Sequence, residues 1–248
     1  MFGRRQIAAL VAEFIGTGAL TLLILSVQRS TIGVPFFVAI AAGLTITIMM
    51  LAVGRVSGGY FNPALVLGFW TARKINTVTA VLYIAVQMLG AWAAYGLYTY
   101  FVSNSLQPVG GEFSVKVLTA EVVGTAVFAF GVAAAIYQRA SMALTATMAG
   151  LALTVGIVAA SSASIGLLNP AVALGIRAWV LLTYVLGPIL GAIIGVNLYA
   201  LLFAEEGTGS SLEEKKTVAT AKPAAVTTKA ATKKAPAKKK KPAAKKKK

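Results

Sequence analysis

Two copies of Asn-Pro-Ala, Asn62-Pro63-Ala64 and Asn169-Pro170-Ala171, stand 107 residues apart, each closing one apolar stretch and opening a shorter one. An asparagine at a helix N-cap accepts a backbone N–H through its side-chain carbonyl, and a proline at the first helical position needs no N–H partner. The tripeptide therefore reads as a helix start. One copy is ordinary; two at matched positions of a repeat are not. With its carbonyl used by the cap, each Asn keeps its amide NH2 free to donate elsewhere. Two such donors, each at the positive end of a short helix, would bind the oxygen of a passing water and set a repulsive potential against cations.

Glu13 and Glu121 are carboxylates set in apolar stretches. Such groups are costly unless paired or hydrogen-bonded, so their recurrence argues for a shared job. They are read as bracing the loops before the tripeptides by accepting backbone or side-chain donors; proton carriage and a purely interfacial position are the alternatives. Acid–base catalysis does not fit, because the two carboxylates lie in separate repeats with no nucleophile or metal-ligand set beside them. The chain has no Cys and no His, which excludes disulfides, thiolate chemistry, cysteine metal sites and imidazole catalysis. The expectation is no enzyme, no metal and no cofactor.

These residues must be positioned by membrane helices. The 248 residues are 58% hydrophobic and 12% charged, about half the charge of a soluble domain. Mean hydropathy is +0.80. Apolar runs of roughly twenty residues fall at about 7–27, 34–53, 78–101, 116–136, 142–161 and 181–204, giving six spans. Arg4 and Arg5 resemble the charged start of a secretory signal, yet the run that follows them is long enough to cross a bilayer and reads as a retained first helix. The runs after the tripeptides, about 62–70 and 169–177, reach only about 12–13 Å as helices and are half-membrane elements.

The halves repeat. Ala12-Glu13-x-x-Gly16-Thr17 recurs as Ala120-Glu121-x-x-Gly124-Thr125, and Ala42-Gly43-Leu44 recurs as Ala149-Gly150-Leu151. Three spans per half is an odd number, so the second copy enters from the opposite side. That makes an inverted repeat whose half-helices meet near the midplane. Irregular backbone at that depth is tolerable where it lines a wet cavity or is buried in protein. Six spans put both termini on one side, and Arg4, Arg5, Arg55, Arg73, Lys74 and Arg139 against Arg29, Lys116 and Arg177 nominate the cytoplasm for it. Gly187, Gly191 and Gly195 recur every fourth position on the last span and allow close helix approach.

With these elements in place the chain resembles the major intrinsic protein family, the aquaporins and aquaglyceroporins. The resemblance covers residues 1–204 and rests on Ala12–Thr17, Ser57–Ala64, Gln87-x-x-Gly90-Ala91, Ala120–Thr125, Asn169-Pro170-Ala171 with Gly175, and Tyr184-x-x-Gly187-Pro188-x-x-Gly191-Ala192. It implies an all-α membrane protein: a right-handed bundle of six transmembrane helices plus two re-entrant half-helices, one pore per subunit, and a homotetramer. The channel domain is expected over 1–204, its repeats about 1–105 and 112–204.

The family's outer selectivity filter, carried over by spacing from each Asn, falls on Ala42, Ile157, Gly166 and Val172. Here the chain departs from the family pattern, since Val172 stands where Arg is usual and Ile157 where His or Gly is common. Val for Arg removes a fixed charge and up to five donors. The expectation is a broader, less polar mouth, with weaker orientation of glycerol-like hydroxyls, weaker exclusion of protons and cations, and the Asn pair as the main barrier; the alternative is that these residues only pack and the narrowing lies elsewhere. Arg177, five residues past Val172, is turned roughly 140° from the pore-facing position at about 100° per residue and is not read as a displaced filter residue. Ile165 and Arg55 also depart from the family's usual Gly and His.

Residues 205–248 hold fourteen Lys and four Glu in an Ala/Lys/Pro/Thr sequence that cannot build a core. A disordered cytoplasmic tail is expected, with attraction to anionic lipid headgroups as its next reading and no specific nucleic acid as partner. The function expected is a passive channel for water and small uncharged solutes of the glycerol, urea and ammonia class, in the cell membrane. The alternatives are a structural or interaction protein with a closed or vestigial pore, and an ion-leaky channel.

Overall fold

The computed structural model describes residues 3–30, 34–109 and 111–204. The Lys-rich segment, with the expectations placed on it, lies outside the described residues. Regular structure among the described residues is helical throughout: α1 (Arg4–Gln28), α2 (Pro35–Ser57), α3 (Pro63–Thr71), α4 (Thr77–Val102), α5 (Val115–Tyr137), α6 (Met142–Ala160), α7 (Pro170–Gly175), and a π-helical turn (Leu182–Leu186) that runs into α8 (Gly187–Leu202). Six of these are long and apolar enough to cross a membrane, α8 being counted with its π turn.

Local chemistry sets the ends. Pro35 opens α2, Asn76 caps α4 by accepting the Thr79 N–H at 2.9 Å, and Gly58 in the left-handed region (φ 102°) closes α2. Pro188, with no N–H to offer the Tyr184 carbonyl, follows the π turn. The expected spans match these helices to within a few residues. The second half-helix ends two residues short of its expected limit: α7 stops at Gly175, because Arg177 turns left-handed (φ 65°) and the Ala178 N–H closes onto the Ala173 carbonyl at 2.9 Å.

Polarity is reversed relative to a soluble fold. Leu44, Ile48, Leu89 and Leu151 are about 60% exposed, while Glu13, Gln87 and Glu121 are wholly buried. Apolar side chains face outward to lipid and the carboxylates sit in the protein interior, where donors are available.

The packing has two-fold character. α1 lies on α4 as α5 lies on α8, α3 lies on α8 as α7 lies on α4, and α2 meets its counterpart α6 across the axis. At that crossing Gly43 and Gly150 are face to face: a Cβ on Gly43 would stand 2.6 Å from the Gly150 carbonyl oxygen, and one on Gly150 2.5 Å from that of Gly43. Thr47 and Thr154 donate across the same contact, to the Ala146 and Ala39 carbonyls at 3.3 and 3.2 Å. Both chain ends of the described bundle lie at one end, called here the terminal end; the α4–α5 connection lies at the far end.

Candidate functional site

The loop before each half-helix is held the same way twice. On α1, Glu13 accepts the Tyr60 N–H at 3.1 Å, the Phe61 N–H at 2.7 Å and the Gln87 amide at 2.7 Å. On α5, Glu121 accepts the Leu167 N–H at 3.0 Å, the Leu168 N–H at 2.8 Å and the Ser164 hydroxyl. Ser57 and Ser164 each accept the N–H two residues on, from Gly59 and Gly166, both at 3.1 Å. Gly59 and Gly166 are left-handed (φ 71° and 66°), which glycine adopts without cost. Phe61 and Leu168 are left-handed as well (φ 45° and 51°), a strain of about 1–3 kcal/mol each. The charge-assisted bonds from the carboxylates overdetermine this backbone and set the direction of the next residue, the asparagine.

Asn62 caps α3 by accepting the Ala64 N–H at 2.8 Å, and Asn169 caps α7 by accepting the Ala171 N–H at 3.0 Å. Their amides do not stay wholly free, which corrects the expectation from sequence. Asn62 Nδ2 donates to the Leu168 carbonyl at 2.8 Å, and Asn169 Nδ2 donates to the Phe61 carbonyl at 2.9 Å. Each loop thus presents the carbonyl before its own Asn to the Asn of the other loop. An NH2 has two hydrogens, so each side chain retains one N–H beyond that bond. The cause is backbone accounting: a buried carbonyl in a left-handed turn has no helical partner and must find one.

Both asparagines line a narrow cavity with Leu20 and Ile24 of α1, Ile46 of α2, Phe128 of α5, Leu153 and Ile157 of α6, and Leu167. The space open to the centre of a water molecule is about 10 Å³, room for about one water. Apart from the two amides its walls are apolar side chains. They too are repeat-related, Leu20 with Phe128 and Ile46 with Leu153. Two asparagines therefore line a small space whose other side chains are apolar, with the N-terminus of a half-helix at each and a partial positive charge there.

Of the four filter positions, Ile157 reaches this cavity. Gly166 backs onto Ile157, whose Cγ2 and carbonyl oxygen lie 3.1 Å from where a Gly166 Cβ would stand. Ala42 and Val172 are fully buried and are not part of the cavity wall. Pro63, Ala64, Pro170 and Ala171 are buried at the half-helix starts. Arg177 lies away from the cavity, donating to the Leu106 carbonyl and stacking on Trp179. Sequence reading gave Ser57 no role of its own and missed Ser164 and the cavity wall beyond Ile157 and the two asparagines. The signal was present, since the serines recur at the Asn offset and Leu20 and Phe128 each lie seven residues past a buried Glu.

Fold and site together define a membrane channel with a two-fold central constriction. Residues 4–199 match the family model described as Major intrinsic protein. Aquaporin Z of Photorhabdus laumondii is 32% identical over 226 residues, which is 79% of this chain and 98% of the relative. Aquaporin NIP1-1 of Zea mays is 34% identical, covering 76% of this chain and 70% of the relative. The aquaglyceroporin of Plasmodium falciparum superposes with a TM-score of 0.68 at 19% identity, covering 79% of this chain and 96% of that one, which shows the shared fold. The chain belongs to the major intrinsic protein family; it is an integral membrane channel and not an enzyme.

Proposed function

We propose that this channel passes water and small uncharged solutes down their gradients, and that Asn62 and Asn169 are the central donors. The observation that carries the reading is the convergence of two half-helix N-termini and two amides on one cavity with room for about one water molecule. A neutral molecule with a lone pair accepts from the amides; a cation meets two helix dipoles of about half a charge each. Ala42, Ile157, Gly166 and Val172 form a filter without arginine and set the outer width. Apolar walls favour solutes that need few hydrogen bonds, ammonia among them, over glycerol.

The channel works as a homotetramer in the cell membrane, its termini cytoplasmic and its Lys-rich segment drawn to anionic headgroups. Purified full-length chain in vesicles tests the reading through shrinkage or swelling rates in water, glycerol, urea and ammonia gradients against empty vesicles. The expected result is faster passage of water and of at least one neutral solute. No enhancement for any of them would leave the closed-pore alternative standing. Val172→Arg is expected to lower passage of the larger solutes, and an unchanged ranking would remove the filter assignment.

A further inference from the structure

A second concavity lies on the outer surface, away from the pore, between α4 and the segment that follows α7. It is a half-open groove of about 260 Å³ lined by Trp92, Tyr95, Leu174, Arg177 and Trp179. Trp92 and Trp179 are more than half exposed. Gly96, one turn on from Trp92, has nothing within 4 Å of where a Cβ would stand, so the helix surface is open there. The groove runs from Trp92, just past the middle of α4, to Arg177, which bonds the Leu106 carbonyl beyond the far end of that helix.

Arg177 gives the groove its character. Its guanidinium stacks on Trp179, 4.7 Å from the ring centre, and donates to the Leu106 carbonyl. Among the described residues it has no carboxylate partner. One hydrogen bond leaves most of its five donors available, and the groove wall supplies no anion. A guanidinium on an aromatic floor, facing lipid, matches a phosphate, whose oxygens it can engage in pairs. The positive charge disfavours a cationic headgroup standing alone. Below Trp92 toward the midplane, exposed Leu89 continues the apolar face of α4 along which acyl chains would lie.

We propose that this groove binds one anionic phospholipid from the leaflet at the far end of the bundle, its phosphate on Arg177 and its chains against α4. The chain has three tryptophans, and two of them line the groove. Trp70 lies elsewhere, on α3, bonded to Thr77. Full-length Trp70→Phe protein therefore reports on the groove by fluorescence. Vesicles of phosphatidylcholine would carry, at equal mole fraction, either phosphatidylglycerol or phosphatidylcholine brominated on its acyl chains. Brominated phosphatidylglycerol is expected to quench with about fivefold greater apparent affinity, the effect of one near-surface charge.

Arg177→Gln should abolish that preference. Leu174→Phe, on the groove wall, should abolish it too, by narrowing the groove without touching the Arg177–Leu106 bond. Both variants keep the Lys-rich segment, so lipid recruited by that segment would leave the preference intact. Equal quenching by the two lipids in the parent, a preference that survives both variants, or no quenching by either lipid because another copy covers the groove would each overturn the proposal.

Discussion

Two carboxylates and two amides hold the site together, and each has a separable role. Glu121→Gln keeps the size of the side chain but replaces one accepting oxygen with an NH2 donor, so a backbone N–H that donated to that oxygen loses its acceptor. Each orphaned buried donor costs about 1–3 kcal/mol, so the variant should unfold at clearly lower temperature in detergent, and Glu13→Gln should do the same through Tyr60 and Phe61. Equal melting temperatures would remove the bracing role. Asn62→Asp is a different kind of change. It retains the cap to Ala64, loses the donor to Leu168 and places a negative charge at the constriction. At about 4 Å and an effective dielectric near 20, that charge attracts a cation by about 4 kcal/mol. Cation or proton flux in vesicles should rise at least about tenfold, a step of about 1.4 kcal/mol, and unchanged flux would place the barrier elsewhere.

At the scale of elements, the repeat is what makes the site. The half-helices lie against α8 and α4, and the two halves of the bundle meet where α2 and α6 cross at Gly43 and Gly150 with backbones nearly touching. Gly43→Leu forces a branched side chain against the Gly150 carbonyl; overpacking of this sort costs about 1–3 kcal/mol or more, and yield of folded protein by size-exclusion chromatography should fall. Gly96→Leu is the matched control, since its side chain enters open space, and it should leave yield unchanged. Most of this scale was legible beforehand. Span positions follow from runs of apolar residues, and the half-helices from Asn-Pro-Ala plus insufficient length. The shortened α7 was not legible, because the left-handed turn at Arg177 depends on where the chain must go next rather than on residue type. Nor was the exchange of Asn amides for Phe61 and Leu168 carbonyls, which arises only when two loops 107 residues apart are brought tip to tip.

For the molecule as a whole, composition and repeat led to the family, and the pore wall required the fold. A filter inferred by spacing placed four residues at the mouth; of these, Ile157 lies on the wall of the cavity the asparagines share, beside Leu20, Ile24, Ile46, Phe128, Leu153 and Leu167. Such leucines and isoleucines carry no mark in sequence that separates a pore wall from a lipid face, since both are apolar in a membrane protein. On the proposed function, selectivity rests on the two remaining N–H groups and two half-helix dipoles set beside an apolar cavity. The direct test is to record osmotic water flux and proton flux in one preparation of vesicles holding the full-length chain. A water channel with this barrier should show water flux several-fold above empty vesicles, with proton flux near the level of empty vesicles. Proton flux that rises in step with water flux, or water flux no greater than that of empty vesicles, would contradict the proposed function.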